Sequence, residues 1–180
     1  MAAPPSGGSR IHALTIAPRI EVRPAVQYIA LRDRLHRDHL AAVVPKALAE
    51  VTAALQRMLV TPSGPPLIRY FVVDYNTGDV DVHIGFPVET TRLPASPEKV
   101  RPGDLPAGRY AVVTHAGSYE TLVDTTRALL EWARAEHIEW ANAEDDNVTR
   151  WVSRVEHYVV APPEETDPAK WRTDITILIR

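Results

Sequence analysis

The sequence predicts an α+β fold: two duplicated β-α-β-β units that form a pseudo-twofold antiparallel sheet, with helices on one side and a central ligand groove. Two observations lead to this prediction. Strand-like and helix-like patterns follow one another in the same order in residues 18 to 88 and again in residues 104 to 180. One such unit leaves a bare sheet face that does not support itself, whereas two units can pair and enclose a groove between them.

The first unit opens with a strand and a helix. Residues 20 to 31 are rich in β-branched and aromatic side chains, which favour a strand, and Pro24 indicates an edge or a bulge. Residues 38 to 59 carry apolar side chains at helical spacing, with a kink or a fresh start that puts Pro45 in the first turn of the main helix. The predicted buried face of this helix comprises Leu40, Val43, Val44, Ala47, Leu48, Val51, Leu55, Met58 and Leu59.

A hairpin and a linker complete the first half. Residues 67 to 75 and 79 to 88 read as two strands, and Asn76 and Gly78 supply the turn between them. Residues 89 to 107 contain four prolines and are predicted to be a surface linker that joins the two halves.

The second unit repeats this order. Residues 108 to 117 predict a strand, and residues 118 to 137 predict a helix with Ser118 as its N-cap. Residues 143 to 147 are an acidic turn. Residues 152 to 162 and 171 to 179 then predict a second hairpin.

Composition excludes several classes of function. A chain of 180 residues suits one domain or two small fused halves. Its net charge is -3 and it has no basic stripe with interleaved aromatic residues, so we expect neither direct nucleic-acid binding nor binding to an anionic membrane. It contains no cysteine, which removes disulfides and thiolate metal sites and is compatible with a reducing cytoplasm.

The first 17 residues predict a disordered lead-in. They are rich in small residues, proline and glycine, and they lack the apolar segment of a secretory signal. We therefore expect a cytoplasmic protein, either a monomer or a homodimer.

Four segments together resemble the GyrI-like family. They are "GPPLIRYFVV" and "DVDVHIGFPV" in the first half, and "LPAGRYAVVTHAGSYETL" and "VEHYVVAPPEETDPAKWRTDITILI" in the second. This family includes the effector-binding domains of multidrug-responsive transcription regulators and standalone DNA-gyrase-inhibitory proteins. The resemblance covers residues 18 to 180, and the chain lacks the DNA-reading module of the regulators, so it implies a standalone small-molecule binder or enzyme.

The resemblance also implies a site. In the family, a strand glutamate lies at the base of an aromatic pocket that recognises cationic, lipophilic molecules; the matching residue here is Glu156. The aromatic residue before the "TDI" signature is Trp171, and the aromatic in the first-half hairpin strand is Tyr70. The other candidate ligand-binding residues are Tyr119, Trp140 and Trp151.

The residues alone leave the role of Glu156 open. Strand periodicity places Arg154, Glu156 and Tyr158 on one face, and Trp151 and Val155 on the other. One alternative is that Glu156 faces solvent and forms a surface ion pair with Arg154. The other is that Glu156 is partly buried among aromatic side chains, where a cationic ligand compensates its charge.

Other site chemistries have little support. His36 and His39 lie three residues apart, but no third ligand of known spacing accompanies them, so we expect no metal. No phosphate-binding loop, dinucleotide fingerprint or serine-nucleophile elbow is present, and we expect no cofactor.

Two hypotheses of function follow. The first is a binding protein for amphipathic, aromatic or cationic small molecules. The second is a hydrolase of cyclopropane-bearing or other electrophilic genotoxic natural products, an activity that some standalone relatives have. In that case Glu156 is the general base, and Tyr70 or Tyr119 donates a hydrogen bond to the developing charge. Inhibition of DNA gyrase rests on family analogy alone.

Overall fold

The computed structural model describes residues 17–89 and 99–180. These residues form two helices, α1 (Leu40–Arg57) and α2 (Leu122–Ala135), and one sheet of nine strands. The strands are β1 (Arg19–Arg23), β2 (Val26–His36), β3 (Leu67–Asp74), β4 (Asp79–Pro87), β5 (Arg101–Leu105), β6 (Gly108–Ala116), β7 (Asn142–Asp145), β8 (Val148–Val160) and β9 (Arg172–Leu178). The predicted lead-in lies outside the described residues, except for residue 17. Residues 90–98 of the predicted linker also lie outside them.

The strand order confirms the duplicated, pseudo-twofold sheet. The order is β1-β6-β9-β8-β3-β4-β2-β5, with β7 paired to β8, and every pairing is antiparallel. The first unit is β2-α1-β3-β4 and the second is β6-α2-β8-β9. Strands β3 and β8 pair with each other at the centre, so the junction between the halves is itself a row of ladder hydrogen bonds.

The two outer strands are exchanged between the halves. Strands β1 and β5 start 82 residues apart, as do α1 and α2, so each outer strand opens its own repeat. Yet β1 pairs with β6 of the second half, and β5 pairs with β2 of the first. The register repeats as well: Arg19 lies opposite Val112, and Arg101, 82 positions later, lies opposite Ala30.

Both helices cover the same face of the sheet. Helix α1 packs on β2 and β4, and α2 packs on β6. One core cluster joins the two sides through buried residues such as Ala47, Ile84, Val113, Leu129 and Ile175. The central strands β3 and β8 lie between the helices, where they form the floor of the groove.

The opposite face shows how strongly the sheet curls. Arg69 of β3 donates to the carbonyl oxygen of Val152 in β8 at 2.8 Å and to that of Asp104 in β5 at 2.6 Å. Strands β5 and β3 are separated in the sheet by β4 and β2. One side chain reaches both only because the sheet bends into a half-barrel away from the helices.

Three details of the first half differ from the sequence prediction. Residues 20 to 31 are not one strand: the chain breaks at residues 24 and 25, and β1 and β2 lie far apart in the sheet, because Pro24 lacks the N–H that would continue the ladder. Pro45 lies inside α1, one turn beyond the start at Leu40, where its missing N–H removes a single bond near the helix end. Leu59 follows the helix in a left-handed conformation and is 93% exposed.

The linker and the second half differ from the prediction at three places. Residues 101 to 105 of the predicted linker form β5, and most of the predicted acidic turn is β7, with the turn itself at Asp146 and Asn147. Ser118 caps a single 3₁₀ turn, Tyr119–Thr121, and α2 begins after it.

Candidate functional site

Glu156 lies in the middle of the sheet and faces the helices. In β8 it is opposite Ile68 of β3 and Ile175 of β9, and only 4% of it is exposed. Its Oε2 accepts hydrogen bonds from the hydroxyls of Tyr158 at 2.9 Å and Tyr70 at 3.1 Å. This burial excludes the alternative in which Glu156 faces solvent.

Burial controls the electrostatics of these three residues. It raises the pKa of Glu156, although Arg154 and the two tyrosine hydroxyls act in the opposite direction. Burial, together with the charge of Glu156, raises the pKa values of Tyr70 and Tyr158 well above 10.0. Both phenols therefore stay protonated at neutral pH and remain hydrogen-bond donors.

One oxygen of the carboxylate remains available. Both phenols donate to Oε2, and no described residue donates to Oε1. Oε1 is not among the fully buried polar atoms that lack a partner, so it is not sealed from solvent and can accept a hydrogen bond from a donor outside the chain.

Tyr119 and Trp171 extend the site on one side. The rings of Tyr119 and Trp171 are stacked with centroids 4.5 Å apart, and Tyr119 meets Tyr158 edge to face at 5.3 Å. The indole of Trp171 donates to the carbonyl of Glu165 at 2.8 Å, which fixes the ring orientation. Tyr119 and Trp171 are both half-buried, so they form the outer layer over Tyr158 and Glu156.

Two hydrogen bonds of His115 hold the segment that carries Tyr119. One ring nitrogen of His115 lies 2.7 Å from the hydroxyl of Thr125 in α2, and the other lies 2.9 Å from the carbonyl of Ser118. Because the backbone carbonyl can only accept, the nitrogen facing Ser118 is the donor. His115 thus ties the start of the turn that bears Tyr119 to the helix behind it.

Arg154 and two tryptophans extend the site on the other side. The guanidinium of Arg154 lies 4.8 Å from the ring centroid of Tyr70 and 5.6 Å from that of Trp151. Trp151 in turn meets Trp140 edge to face at 6.2 Å. All six site residues predicted from sequence therefore belong to one continuous series of contacts, which we call the Glu156 series: Trp171, Tyr119, Tyr158, Glu156, Tyr70, Arg154, Trp151 and Trp140.

Trp151 lies on the face opposite to the one that simple alternation predicts. It packs in the core cluster with Tyr70, whereas Ser153 contacts the hydroxyl of Tyr110, which belongs to a different cluster. The cause is a register shift between β3 and β8, where Tyr70 opposes Arg154 but Val72 opposes Arg150. Such a bulge rotates the strand and re-aims its side chains.

Two residues of the series, Tyr158 and Arg154, were not among the predicted site residues. Tyr158 supplies the shorter hydrogen bond to Glu156, and Arg154 is the buried cation nearest Tyr70. The period-2 pattern of β8 already places both on the face of Glu156. That pattern was the signal that could have identified them.

A cavity of about 390 Å³ lies elsewhere, between α1, β2 and the start of the segment after residue 98. Its lining is Leu31, Glu50, Ala53, Arg57, Lys99 and Val100, none of which belongs to the Glu156 series. This cavity is therefore separate from the Glu156 series.

The described residues show neither a metal site nor a membrane-spanning helix. In residues 17–89 and 99–180, no three His, Asp or Glu side chains come together in a way that could hold a metal ion. Neither α1 nor α2 combines the length and the hydropathy needed to cross a lipid bilayer.

Comparison with known proteins gives one family. The family model described as "GyrI-like small molecule binding domain" matches residues 16–180, which confirms the resemblance seen in the sequence. No curated protein matches the chain significantly.

Solved structures share the fold at low sequence identity. The C-terminal domain of EcmrR matches with a TM-score of 0.70 at 15% identity, covering 91% of this chain and 97% of that domain. In the EcmrR–DNA complex the match covers 91% of this chain but only 57% of the EcmrR chain, with a TM-score of 0.72 at 15% identity.

Two further matches cover nearly all of both chains. SAV2435 bound to tetraphenylphosphonium has a TM-score of 0.63 at 14% identity, covering 92% of this chain and 94% of that one. A hydrolase from Listeria innocua has a TM-score of 0.57 at 13% identity, covering 94% of each. At these identities the likeness concerns the fold alone.

The buried carboxyl of Glu156 predicts a specific pH dependence of stability. The pKa of Glu156 in the folded chain lies above the ordinary 4.5. The free energy of unfolding therefore falls as pH rises from the pKa of the unfolded chain to the pKa of the folded chain. Glu156→Gln, which mimics the protonated carboxyl, should raise the free energy of unfolding at pH 7 by on the order of 1 kcal/mol. This gain should vanish near pH 4.

Urea denaturation at several pH values measures this difference. The control is Glu131→Gln, an exposed position on α2, which should change stability little at either pH. A stability difference between Glu156→Gln and the natural chain that does not change with pH would contradict the assignment.

Proposed function

Because the chain belongs to the GyrI-like small-molecule-binding family, we propose that it binds amphipathic aromatic molecules, cationic ones among them, against Glu156 in the groove between its halves. The observation that carries this proposal is the buried carboxylate: Oε2 is held by two phenols, and no described residue donates to Oε1. The oxygen without a donor in the chain can therefore accept a hydrogen bond from a ligand.

The aromatic residues account for the class of ligand. The rings of Tyr119, Tyr158 and Trp171 are in contact with one another, and Tyr70 borders the carboxylate from the other strand. Aromatic faces stack on flat ligands and attract cations, with cation–π contributions of about 0.5–2 kcal/mol each. Stacking tolerates differences in ligand shape, so this surface suits a range of aromatic molecules.

The carboxylate accounts for the preference for a donor or a positive charge. Burial disfavours the ionised form of Glu156, as the direction of its pKa shift indicates. A bound cation or N–H donor reverses this penalty, because it replaces the water that the carboxylate lost on folding. Binding and ionisation of Glu156 are therefore coupled.

Entry requires movement of the outer layer. Tyr119 lies on a single 3₁₀ turn and Trp171 lies just before β9, after the turn Pro168–Lys170. Both rings are half-buried and both stand at the ends of regular elements, where a small change in backbone angles moves a side chain a long way. Separation of the Tyr119–Trp171 stack opens a path to Tyr158 and Glu156.

The comparisons support a binding role. SAV2435, which shares the fold, was solved with tetraphenylphosphonium, a lipophilic aromatic cation. The described residues correspond to the C-terminal domain of EcmrR, and the net charge of -3 does not favour a nucleic acid. We propose that the chain binds its ligand in the cytoplasm and makes no direct contact with DNA.

A second candidate function is hydrolysis at the same site. Glu156 has a raised pKa and an oxygen to which no described residue donates, so it can take a proton from water, and two structures that share the fold are described as hydrolases. The water oxygen bonds to a carbon of a strained ring, the ring C–C bond breaks, and its electron pair leaves towards an acceptor that is then protonated. The hydroxyl of Tyr158 lies nearest to the carboxylate, and that of the predicted Tyr70 lies slightly farther away.

Titration with tetraphenylphosphonium tests the binding proposal. Saturable quenching of tryptophan fluorescence is expected, because Trp171 and Trp151 belong to the Glu156 series. Glu156→Gln should weaken binding by about tenfold, which corresponds to ~1.4 kcal/mol. Glu131→Gln should leave it unchanged. Quenching that does not saturate, or that is equal in both variants, would count against the proposal.

Mass spectrometry separates hydrolysis from binding. A cyclopropane-bearing alkylating agent should gain the mass of one water in the presence of the chain, and Glu156→Gln should lower the rate by about a hundredfold or more, since general bases contribute on the order of 10²–10⁴. A rate equal to that without protein would exclude this second function and leave the binding proposal untouched.

A further inference from the structure

Arg154 is a buried cation without a hydrogen-bond acceptor. Only 9% of the residue is exposed, and its Nε is fully buried without a partner. Among the described residues none accepts a hydrogen bond from its guanidinium, which is held by the rings of Tyr70 and Trp151 instead. The two terminal nitrogens are not among the fully buried atoms that lack a partner, so they can donate in a fixed plane to an acceptor that arrives from outside.

A second donor without an acceptor lies beside it. The indole Nε1 of Trp151 is fully buried and has no partner among the described residues, and the residue is only 6% exposed. The guanidinium of Arg154 lies over this same indole, at 5.6 Å from the ring centroid. Two donors without a partner thus lie on side chains that contact each other.

The unsatisfied donors stand close to the unsatisfied acceptor. Arg154 and Glu156 are alternate residues of β8 and share its helix-covered face, with Tyr70 between them: its hydroxyl donates to Glu156 and its ring lies under the guanidinium. No ion pair joins Glu156 to Arg154 in the described part of the chain. Each charged group is therefore separately available to a ligand.

We propose that Arg154 binds a carboxylate of the ligand, so that the natural ligand is an aromatic zwitterion whose cationic or N–H end meets Glu156. This inference rests on the proposed function and names its ligand class. A guanidinium binds a carboxylate through two parallel hydrogen bonds, and the indole of Trp151 can donate to the same group.

The charge balance of the site agrees with this ligand. Glu156 and Arg154 are both buried and of opposite sign, so Arg154 reduces the attraction of Glu156 for a simple cation. A zwitterion satisfies both groups at once. Selectivity for the zwitterion follows from the cost of leaving the guanidinium without an acceptor.

Two dyes that differ in one group test the assignment. Rhodamine 110 carries a free carboxylate on a cationic xanthene, and rhodamine 123 is its methyl ester. Fluorescence anisotropy of each dye with the full chain should give tighter binding of rhodamine 110 by about tenfold, the scale of one charge-assisted hydrogen-bond pair. Arg154→Gln should abolish this preference by weakening rhodamine 110 and leaving or improving rhodamine 123.

Two further variants complete the design. Arg150→Gln removes an exposed arginine of the same strand and should leave the preference intact. Arg154→Lys keeps the charge without the planar fork, so it should retain part of the preference even if Arg154→Gln does not fold.

The outcomes separate the inference from the proposed function. If the natural chain binds both dyes equally, or if Arg154→Gln and Arg154→Lys weaken both dyes by the same factor, Arg154 has only a structural role and the inference is wrong. If neither dye binds, the proposed function itself fails.

Discussion

The burial of one carboxylate at the junction between two halves is the constraint on which the site depends. A carboxylate removed from water needs donors, and Tyr70 from the first half and Tyr158 from the second each supply one. Neither half could satisfy Glu156 alone. The remaining oxygen, the raised pKa and the aromatic series all follow from placing this charge in the middle of a sheet that two helices cover.

The duplication explains why the site lies where it does. Pairing of β3 with β8 puts the central strands between the strands that carry the two helices, since α1 packs on β2 and β4 and α2 packs on β6. The exchange of β1 and β5 between the halves ties the outer edges of the sheet to the opposite unit. The strands that border the groove thus form one continuous hydrogen-bonded sheet. Tyr119 and Trp171, which cover Glu156, lie on or beside short 3₁₀ turns outside this sheet.

The sequence was sufficient to predict the architecture, but not the face of the sheet on which every side chain lies. The repeated order of patterns predicted the two units and both central hairpins, and the residues of the Glu156 series were identified except for Tyr158 and Arg154. Periodicity failed at Trp151, because a bulge is set by pairing between distant strands and leaves no local pattern. Periodicity also failed to split residues 20 to 31 into β1 and β2, since the partner of β1 lies in the other half of the chain.

The central claim is that a ligand lies against Glu156 between Tyr70 and Tyr158. A crystal structure of the chain with a bound rhodamine tests it most directly. The account predicts that the Tyr119–Trp171 stack, now 4.5 Å between centroids, is separated and that a ligand donor or cation is within hydrogen-bonding or ion-pair distance of Oε1 of Glu156. A ligand bound in the cavity beside Leu31 and Val100, with the stack intact and Glu156 untouched, would contradict it.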